Sequence, residues 1–273
     1  MSERFTVFGG HGFIGGEVAR QLETAGCGIA RIGRNDWPPH GAQLGHVIYA
    51  IGMTADFRQR LAETIELNVG RLHEALSAYA YESFLYLSSA RVYAGANHTV
   101  EDAELCVKPM LADHTYNISK LAGESRCLAE ENPSVRVVRP SNVFGRADRS
   151  NLFLTAILRE AVATGKVTIH QSPDSEKDYV LVSDLAQALI AIARGATQRL
   201  YNLASGRNLS HRRIAGLLER HGVRVTFSPN APRVIFPPIS TQLFQREFGI
   251  PMSDPATGID DMLSSLRLKT ERP

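Results

Sequence analysis

The stretch "FGGHGFIGG", residues 8–16, constrains this chain more than any other. It sits between "RFTVFGG", which reads as a strand, and "GEVARQLETAG", which reads as a helix closed by Gly26. Gly10, Gly12 and Gly15 satisfy G-x-G-x-x-G, while Gly9, Gly12 and Gly15 satisfy G-x-x-G-x-x-G. Either spacing permits a tight turn, close approach of backbone to a pyrophosphate and a helix N-terminus aimed at negative charge. A plain glycine-rich turn would carry the same letters, so the rest of the chain must decide.

Beyond the loop, β-rich runs alternate with helical patterns. "GIARIG", "HVIYAIG", "SFLYLSSA" and "VRVVRPSNVFG" read as strands. "FRQRLAETIELNVGRLHEALSAY" and "YNISKLAGESRCLAEEN" read as helices by their apolar spacing. Such alternation predicts a parallel sheet covered on both faces, an α/β doubly wound Rossmann fold. After Gly145 the rhythm loosens. "NLFLTAILREAVATG" is expected to form a helix and "VTIH" a short strand, and "YVLVSDLAQALIAIARG" a strand and helix returning to the main sheet. The expected division is a dinucleotide-binding domain, residues 1–148 and 178–203, and a small discontinuous lobe, residues 149–177 and 204–273.

A formal net charge of +2 gives no electrostatic case for nucleic acid or an anionic membrane. No stretch approaches the ~20 apolar residues of a membrane-spanning helix, and "MSERFTVFGG" enters its strand without a signal-type apolar region. A cytoplasmic protein is the expectation. Cys27, Cys106 and Cys127 are far apart and odd in number, so they read as reduced packing residues. No cluster with metal-ligand spacing is evident.

"YNISK" places Tyr116 and Lys120 four positions apart, on one face of the expected helix. A phenol titrates near 10, so work at neutral pH needs a shift of roughly three units, about 4 kcal/mol. An adjacent ammonium favours the phenolate in that direction. "YLSSARVYA" ends a strand upstream, and a serine there lies at the crevice where open α/β sheets bind ligands. Taken singly, these residues also fit an amphipathic helix with a surface lysine and a simple Ser-Ser turn, and Asn68 fits a helix-interior polar residue.

Together these stretches resemble the extended short-chain dehydrogenase/reductase family, the NAD(P)-dependent sugar epimerases, dehydratases and ketoreductases. The resemblance covers nearly the whole chain, and the G-x-x-G-x-x-G spacing is the one found in short-chain dehydrogenases/reductases. It implies cofactor contacts from Gly9, Gly12, Phe13, Ile14 and Gly15, from Ala50 and Gly52 of "HVIYAIG", from Ser88 and from Pro140 of "RPSNVFG". It implies catalytic roles for Ser89, Tyr116, Lys120 and Asn68, with Tyr116 and Lys120 also touching the cofactor. Asn142 would face a nucleotide-sugar, Asn151 and Leu152 match positions that contact its diphosphate, and Lys177 and Arg233 are candidates to neutralise that diphosphate. Dimers are common in the family, so a homodimer is an option.

The departures narrow the function. Ala90 and Arg91 stand where the family's 4,6-dehydratases carry an Asp-Glu pair, which argues against water elimination. Lys177 replaces the arginine of a later landmark, keeping a cation but losing its fork. The expected activity is a nucleotide-sugar 4-epimerase or 4-ketoreductase. An NADPH-dependent reductase of another small carbonyl compound, in secondary metabolism, is the alternative. A non-catalytic NADP sensor is a third reading, disfavoured because such proteins typically lack the Tyr and Lys pair. In "RIGRND" the family's NAD-type acid slot falls on Gly33. Glycine leaves room for a 2′-phosphate and Arg34 can accept one, so NADP is favoured over NAD. Asp36 is expected to be a turn residue. Only about a dozen residues separate this strand from "HVIYAIG", so a helix and a strand are missing there. The sheet should be one strand shorter and the adenine pocket more open.

Overall fold

β1 (Arg4–Phe8) runs through the glycine loop into α1 (Phe13–Thr24), followed by β2 (Gly28–Ile32) and β3 (His46–Tyr49). α2 (Leu61–Ile65) and α3 (Arg71–Ser77) lead to β4 (Ser83–Leu87), and α4 (His114–Leu128) to β5 (Val135–Pro140). β6 (Asn142–Phe144), α5 (Phe153–Thr164), β7 (Lys166–Ile169), β8 (Glu176–Leu181) and α6 (Val182–Gly195) come next. The chain closes with β9 (Leu200–Leu203), β10 (Asn208–Ser210), α7 (His211–Arg220), β11 (Arg224–Phe227), α8 (Gln242–Phe248) and α9 (Pro255–Thr270). The structure, a computed structural model, describes residues 3–53, 57–111, 113–145, 150 and 152–270, without the side chains of 266–270.

Six strands pair in parallel in the order β2-β1-β3-β4-β5-β9. Alternate residues serve opposite faces, as strand geometry requires. Phe5, Val7, Ile48, Leu85 and Val138 pack with Val18 and Leu22 of α1 and Leu185 and Leu189 of α6. Their neighbours Phe8, Val47, Tyr49, Phe84 and Val137 face Leu72 and Leu76 of α3 and Cys127 of α4. Both faces are covered, and the strands are accordingly apolar throughout.

The structure departs from the sequence reading at several points. The helix expected from Phe57 begins at Leu61 and is interrupted by a π-turn over Glu66–Gly70. α4 crosses it closely there, where a Cβ on Gly123 would lie 2.7 Å from the Asn68 carbonyl oxygen. "VRVVRPSNVFG" splits at Ser141: Pro140 still pairs with Leu203 in the main sheet, whereas Asn142 pairs with Tyr179 in a small one. The strand of "YVLVSDL" does not return to the main sheet, because β8 lies between β6 and β10. The Asp178 carboxylate accepts bonds from the Ser205 and Arg207 amides and the Ser205 hydroxyl. That clamp ties β8 to the loop after β9 and leaves β9 to extend the main sheet. Cys106 is exposed in an irregular segment and packs in no core, unlike buried Cys127.

β2 is an edge strand, and residues 33–45 reach β3 without a helix. Trp37 covers the sheet in its place, 5.0 Å from the Phe8 ring, with Tyr79 behind it and the Arg71 guanidinium 5.1 Å above. The small lobe has its own core of Leu154, Leu158, Ile214, Leu218 and Ile259 from α5, α7 and α9. Among the described residues no helix is long and apolar enough to cross a membrane.

A buried ion pair joins α4 to β5. Arg139 donates to the Glu124 carboxylate through Nε and Nη2, the shorter bond being 2.6 Å, and the Ser88 hydroxyl donates to the same carboxylate. Arg139 Nη1 donates to Tyr93, whose hydroxyl donates in turn to Asn202 of β9. Removing one partner strands a charge in the core. Glu124→Ala is therefore expected to cost about 3–5 kcal/mol, read as a lower denaturant midpoint at unchanged slope.

Candidate active site

The glycine loop is built around the Gly9 carbonyl. Gly9 has φ of 77° and bonds Ile32, its carbonyl accepts from the Gly12 amide, and a Cβ on Gly15 would collide with that oxygen. Gly9, Gly12 and Gly15 thus form one steric unit. Gly10 is also confined, since its Cβ would sit 2.9 Å from the Val7 oxygen. Gly12 starts α1 with neither a side-chain cap nor an acid in the first turn. The first amides of the helix, including those of Phe13, Ile14 and Gly15, stay open to an anion.

Tyr116 is buried in α4 with its ring 5.1 Å from Phe57 and 5.8 Å from the Arg91 guanidinium. Burial raises its pKa, while the Ser89 hydroxyl and the Arg91 charge pull it back. Ser89 caps the short turn Ala90–Tyr93 and accepts from the Arg91 amide at 3.2 Å. Lys120, one helical turn beyond Tyr116, donates from Nζ to the Leu87 carbonyl at 2.8 Å. Burial lowers its pKa to about 7, against the favourable charge of Glu124.

Asn68 lies in the π-turn, a frequent device at functional sites. Its Nδ2 donates to Ser119, whose hydroxyl donates to the Tyr116 carbonyl. Its Oδ1 is buried without a partner, 3.6 Å from where a Gly52 Cβ would stand, and Lys120 Nζ is 3.3 Å from that point. The missing side chain of Gly52, an orphaned carbonyl oxygen and an ammonium therefore meet in one gap. Together with the open end of α1, they fit a dinucleotide with its pyrophosphate on the loop and its nicotinamide ribose beside Lys120.

Ala50 and Pro140 lie at the carboxyl ends of β3 and β5, with Ala50 packed against Gly9 of the loop. The other sequence candidates diverge. Ser88 gives its hydroxyl to Glu124, because its strand-end position faces α4. Asn142 donates to the Asp178 carbonyl, fastening β6 to β8. Leu152 precedes α5 and packs against the main core; Asn151 lies outside the described residues. Lys177 is half-buried, 5.2 Å from the Phe153 ring and bonded to Gln171, and burial lowers its pKa to about 8. Arg233 is exposed beside the surface pair Arg212–Asp174. Arg34 is exposed at the end of β2 with no ion pair among the described residues. Asp36, expected only to turn the chain, places Oδ2 2.8 Å from where a Gly33 Cβ would stand. Sequence reasoning missed that carboxylate, the placement of Arg91 and the Glu124–Arg139 pair. Only the last left a trace, a Glu four residues after Lys120. No metal-binding cluster of His, Cys, Asp or Glu is present among the described residues.

The model of the NAD dependent epimerase/dehydratase family matches residues 40–204. The chain belongs to that family. It is an enzyme of the extended short-chain dehydrogenase/reductase type, within a family of NAD-dependent epimerases and dehydratases. It is 23% identical over 258 residues to a dTDP-4-dehydro-6-deoxy-D-allose reductase of Streptomyces sp, covering 78% of this chain and 79% of that one. It is 26% identical over 153 residues to a dTDP-glucose 4,6-dehydratase of Streptomyces griseus. That match spans 54% of this chain and less than half, 45%, of the dehydratase. In fold it is similar to MoeE5 in complex with UDP-glucose and NAD, with a TM-score of 0.79, 20% identity and coverage of 98% and 100%. RMD from Pseudomonas aeruginosa complexed with NADPH matches at 0.76, 20% identity, 97% and 99%.

The buried ammonium makes stability depend on pH. Unfolded Lys120 holds its proton up to the ordinary lysine value of about 10.5, folded Lys120 only to about 7, so the unfolded chain binds more protons between them. Stability in that window rises with pH. Relative to Lys120→Met, the parent is expected to gain about 1.4 kcal/mol per pH unit across it, measured by denaturation of both proteins at a series of pH values.

Proposed function

We propose that this enzyme is a nucleotide-sugar 4-epimerase or 4-ketoreductase working through Tyr116, Ser89 and Lys120. The observation that carries the reading is the meeting of these three side chains with Gly52 and Asn68 beside the glycine loop. The bound nicotinamide supplies or accepts the hydride. Ser89 holds the oxygen on the reacting carbon by hydrogen bonding. Tyr116 exchanges a proton with that same oxygen, giving it up in reduction and taking it in oxidation. Lys120 orients the ribose and favours the phenolate, and Asn68 Oδ1 accepts a proton-bearing group in the gap beside it. Ala90 and Arg91 offer no carboxyl pair for removing water, which supports epimerisation or reduction over dehydration.

Leu152, at the start of α5, and Lys177, on β8, are the substrate contacts of this reading, while Asn151, expected beside them, lies outside the described residues. Asn142 is tied to backbone and Arg233 points to solvent, so two expected sugar-nucleotide contacts are otherwise engaged. That supports the alternative, reduction of another small carbonyl compound. Exposed Ile65 on α2 and Ile118 on α4 support a homodimer through these helices. Tyr116→Phe is expected to lower turnover at least a hundredfold on whichever UDP-, GDP- or dTDP-sugar raises the melting temperature, while leaving that thermal shift intact. Near-parental turnover would sink the assignment. Tightly held NAD released from the purified protein marks an epimerase, and exchangeable NADPH a reductase.

The finer cofactor preference, NADP(H), is supported by the exposed Arg34 beside Gly33, which has no ion pair among the described residues. It is countered by Asp36, whose carboxylate would repel a 2′-phosphate and accept from a 2′-hydroxyl. The balance of these two side chains sets the choice. Arg34→Ala is expected to weaken NADP+ relative to NAD+ about tenfold, and Asp36→Asn to strengthen it by a similar factor, measured by calorimetric titration. Unchanged ratios in both variants would place the selection elsewhere.

A further inference from the structure

Arg91 has no part in the roles assigned so far, yet its guanidinium lies 5.8 Å from the centre of the Tyr116 ring and 5.0 Å from that of Phe57. Its place is built rather than incidental. Its amide donates to Ser89, its carbonyl accepts from Asn117 Nδ2, and the Phe57 ring carries a second guanidinium, that of Arg58, at 4.7 Å. Asp113 bonds Arg58 through both its oxygens, which leaves Arg91 a looser contact of 3.6 Å with the same carboxylate. One carboxylate thus serves two guanidiniums, and a net positive charge faces the tyrosine.

We propose that Arg91 is a positioning residue that acts through Tyr116, its fixed charge stabilising the phenolate left when the phenol gives its proton to the substrate oxygen. The inference rests on the reading of Tyr116 as the proton-exchanging group. Lys120 is less suited to this alone, because its ammonium is bonded to the Leu87 carbonyl, beside Glu124. It is also deprotonated in part near neutral pH, whereas a guanidinium keeps its charge throughout the working range. The groups acting on the Tyr116 phenol are Ser89 and Arg91 from the turn after β4, with Tyr86 of β4 also interacting with it electrostatically; Arg58 and Asp113 pair beside Arg91, and Lys120 lies one turn further along α4. Of these, Arg91 and Ser89 oppose the burial that keeps the phenol protonated. The proton balance is closed: the hydrogen leaving Tyr116 goes to the substrate oxygen and returns in the reverse reaction.

The test reads the phenol directly. Protein labelled with carbon-13 tyrosine and saturated with NAD+ is titrated by NMR, the Tyr116 signal being identified by its loss in Tyr116→Phe. Arg91→Met is expected to weaken ionisation of Tyr116 about tenfold, an upward move of ~1 pH unit, and Arg91→Lys to restore most of it. Asp113→Asn, which frees both guanidiniums of their counter-charge, should move the midpoint the other way. An unmoved midpoint in Arg91→Met, or a Lys variant as impaired as the Met variant, overturns the proposal. If Arg91→Met does not fold, Asp113→Asn decides: a midpoint that stays or rises there overturns it. Because the titration follows Tyr116 whether or not any sugar turns over, its failure is separable from failure of the catalytic reading.

Discussion

The active centre depends on the buried pair Glu124–Arg139. Its geometry is bidentate, and the remaining hydrogen-bonding capacity of both groups is taken up by Ser88, Tyr93 and the Glu101 carbonyl. Such satisfaction is what a desolvated pair requires if it is not to cost more than it returns. The pair locks α4, which carries Tyr116 and Lys120, to β5, and through Ser88 it also holds the end of β4, from which Ser89 emerges. Tyr93 closes the short turn that Ser89 opens, so the same network sets both ends of that turn. The reacting groups lie on separate elements, but their relative placement is anchored to one buried contact.

Burial then works against the chemistry it positions. The same exclusion of water raises the phenol of Tyr116 and lowers the ammonium of Lys120, so both groups are driven toward their neutral forms. A tyrosine that must ionise near neutral pH in such a site needs charge that burial does not remove. Lys120 lies one turn further along α4, where Glu124 favours its protonated state. The Arg91 guanidinium, 5.8 Å from the centre of the ring, supplies a charge that stays constant with pH.

Features set by local chemistry were legible in the sequence; those set by tertiary approach were not. Gly9, Gly12 and Gly15 are confined by a single turn of backbone, so their spacing marked the loop as a candidate that the Tyr, Lys and Ser stretches then supported. Tyr116 and Lys120 share a face because four residues make about one helical turn, and no tertiary knowledge is needed for that. The π-turn at Asn68 arises from the approach of α4, which only the folded chain contains. Ser88 and Ser89 are adjacent letters, yet one is captured by Glu124 and the other faces Tyr116, a division decided by strand pleating at the end of β4. The apolar run of β8 reads equally well as a main-sheet strand. Its diversion to the small lobe depends on Asp178 meeting Ser205 and Arg207, residues distant in sequence.

The shortened crossover after β2 shows how a deletion can be read in advance while its consequence is not. Counting residues was sufficient to remove a helix and a strand, and the sheet does end at β2. Removing a helix, however, exposes the face it covered, and the chain answers with Trp37 lodged against Phe8 and Tyr79 and overlaid by Arg71. With Trp37 drawn inward, the preceding residues are pulled across the end of β2. That path explains how the Asp36 carboxylate comes to lie over Gly33, three positions earlier, in the space an acid at that position would have filled. A glycine at position 33 leaves the room that the Asp36 carboxylate occupies, and the packing of one tryptophan holds the segment that brings it there.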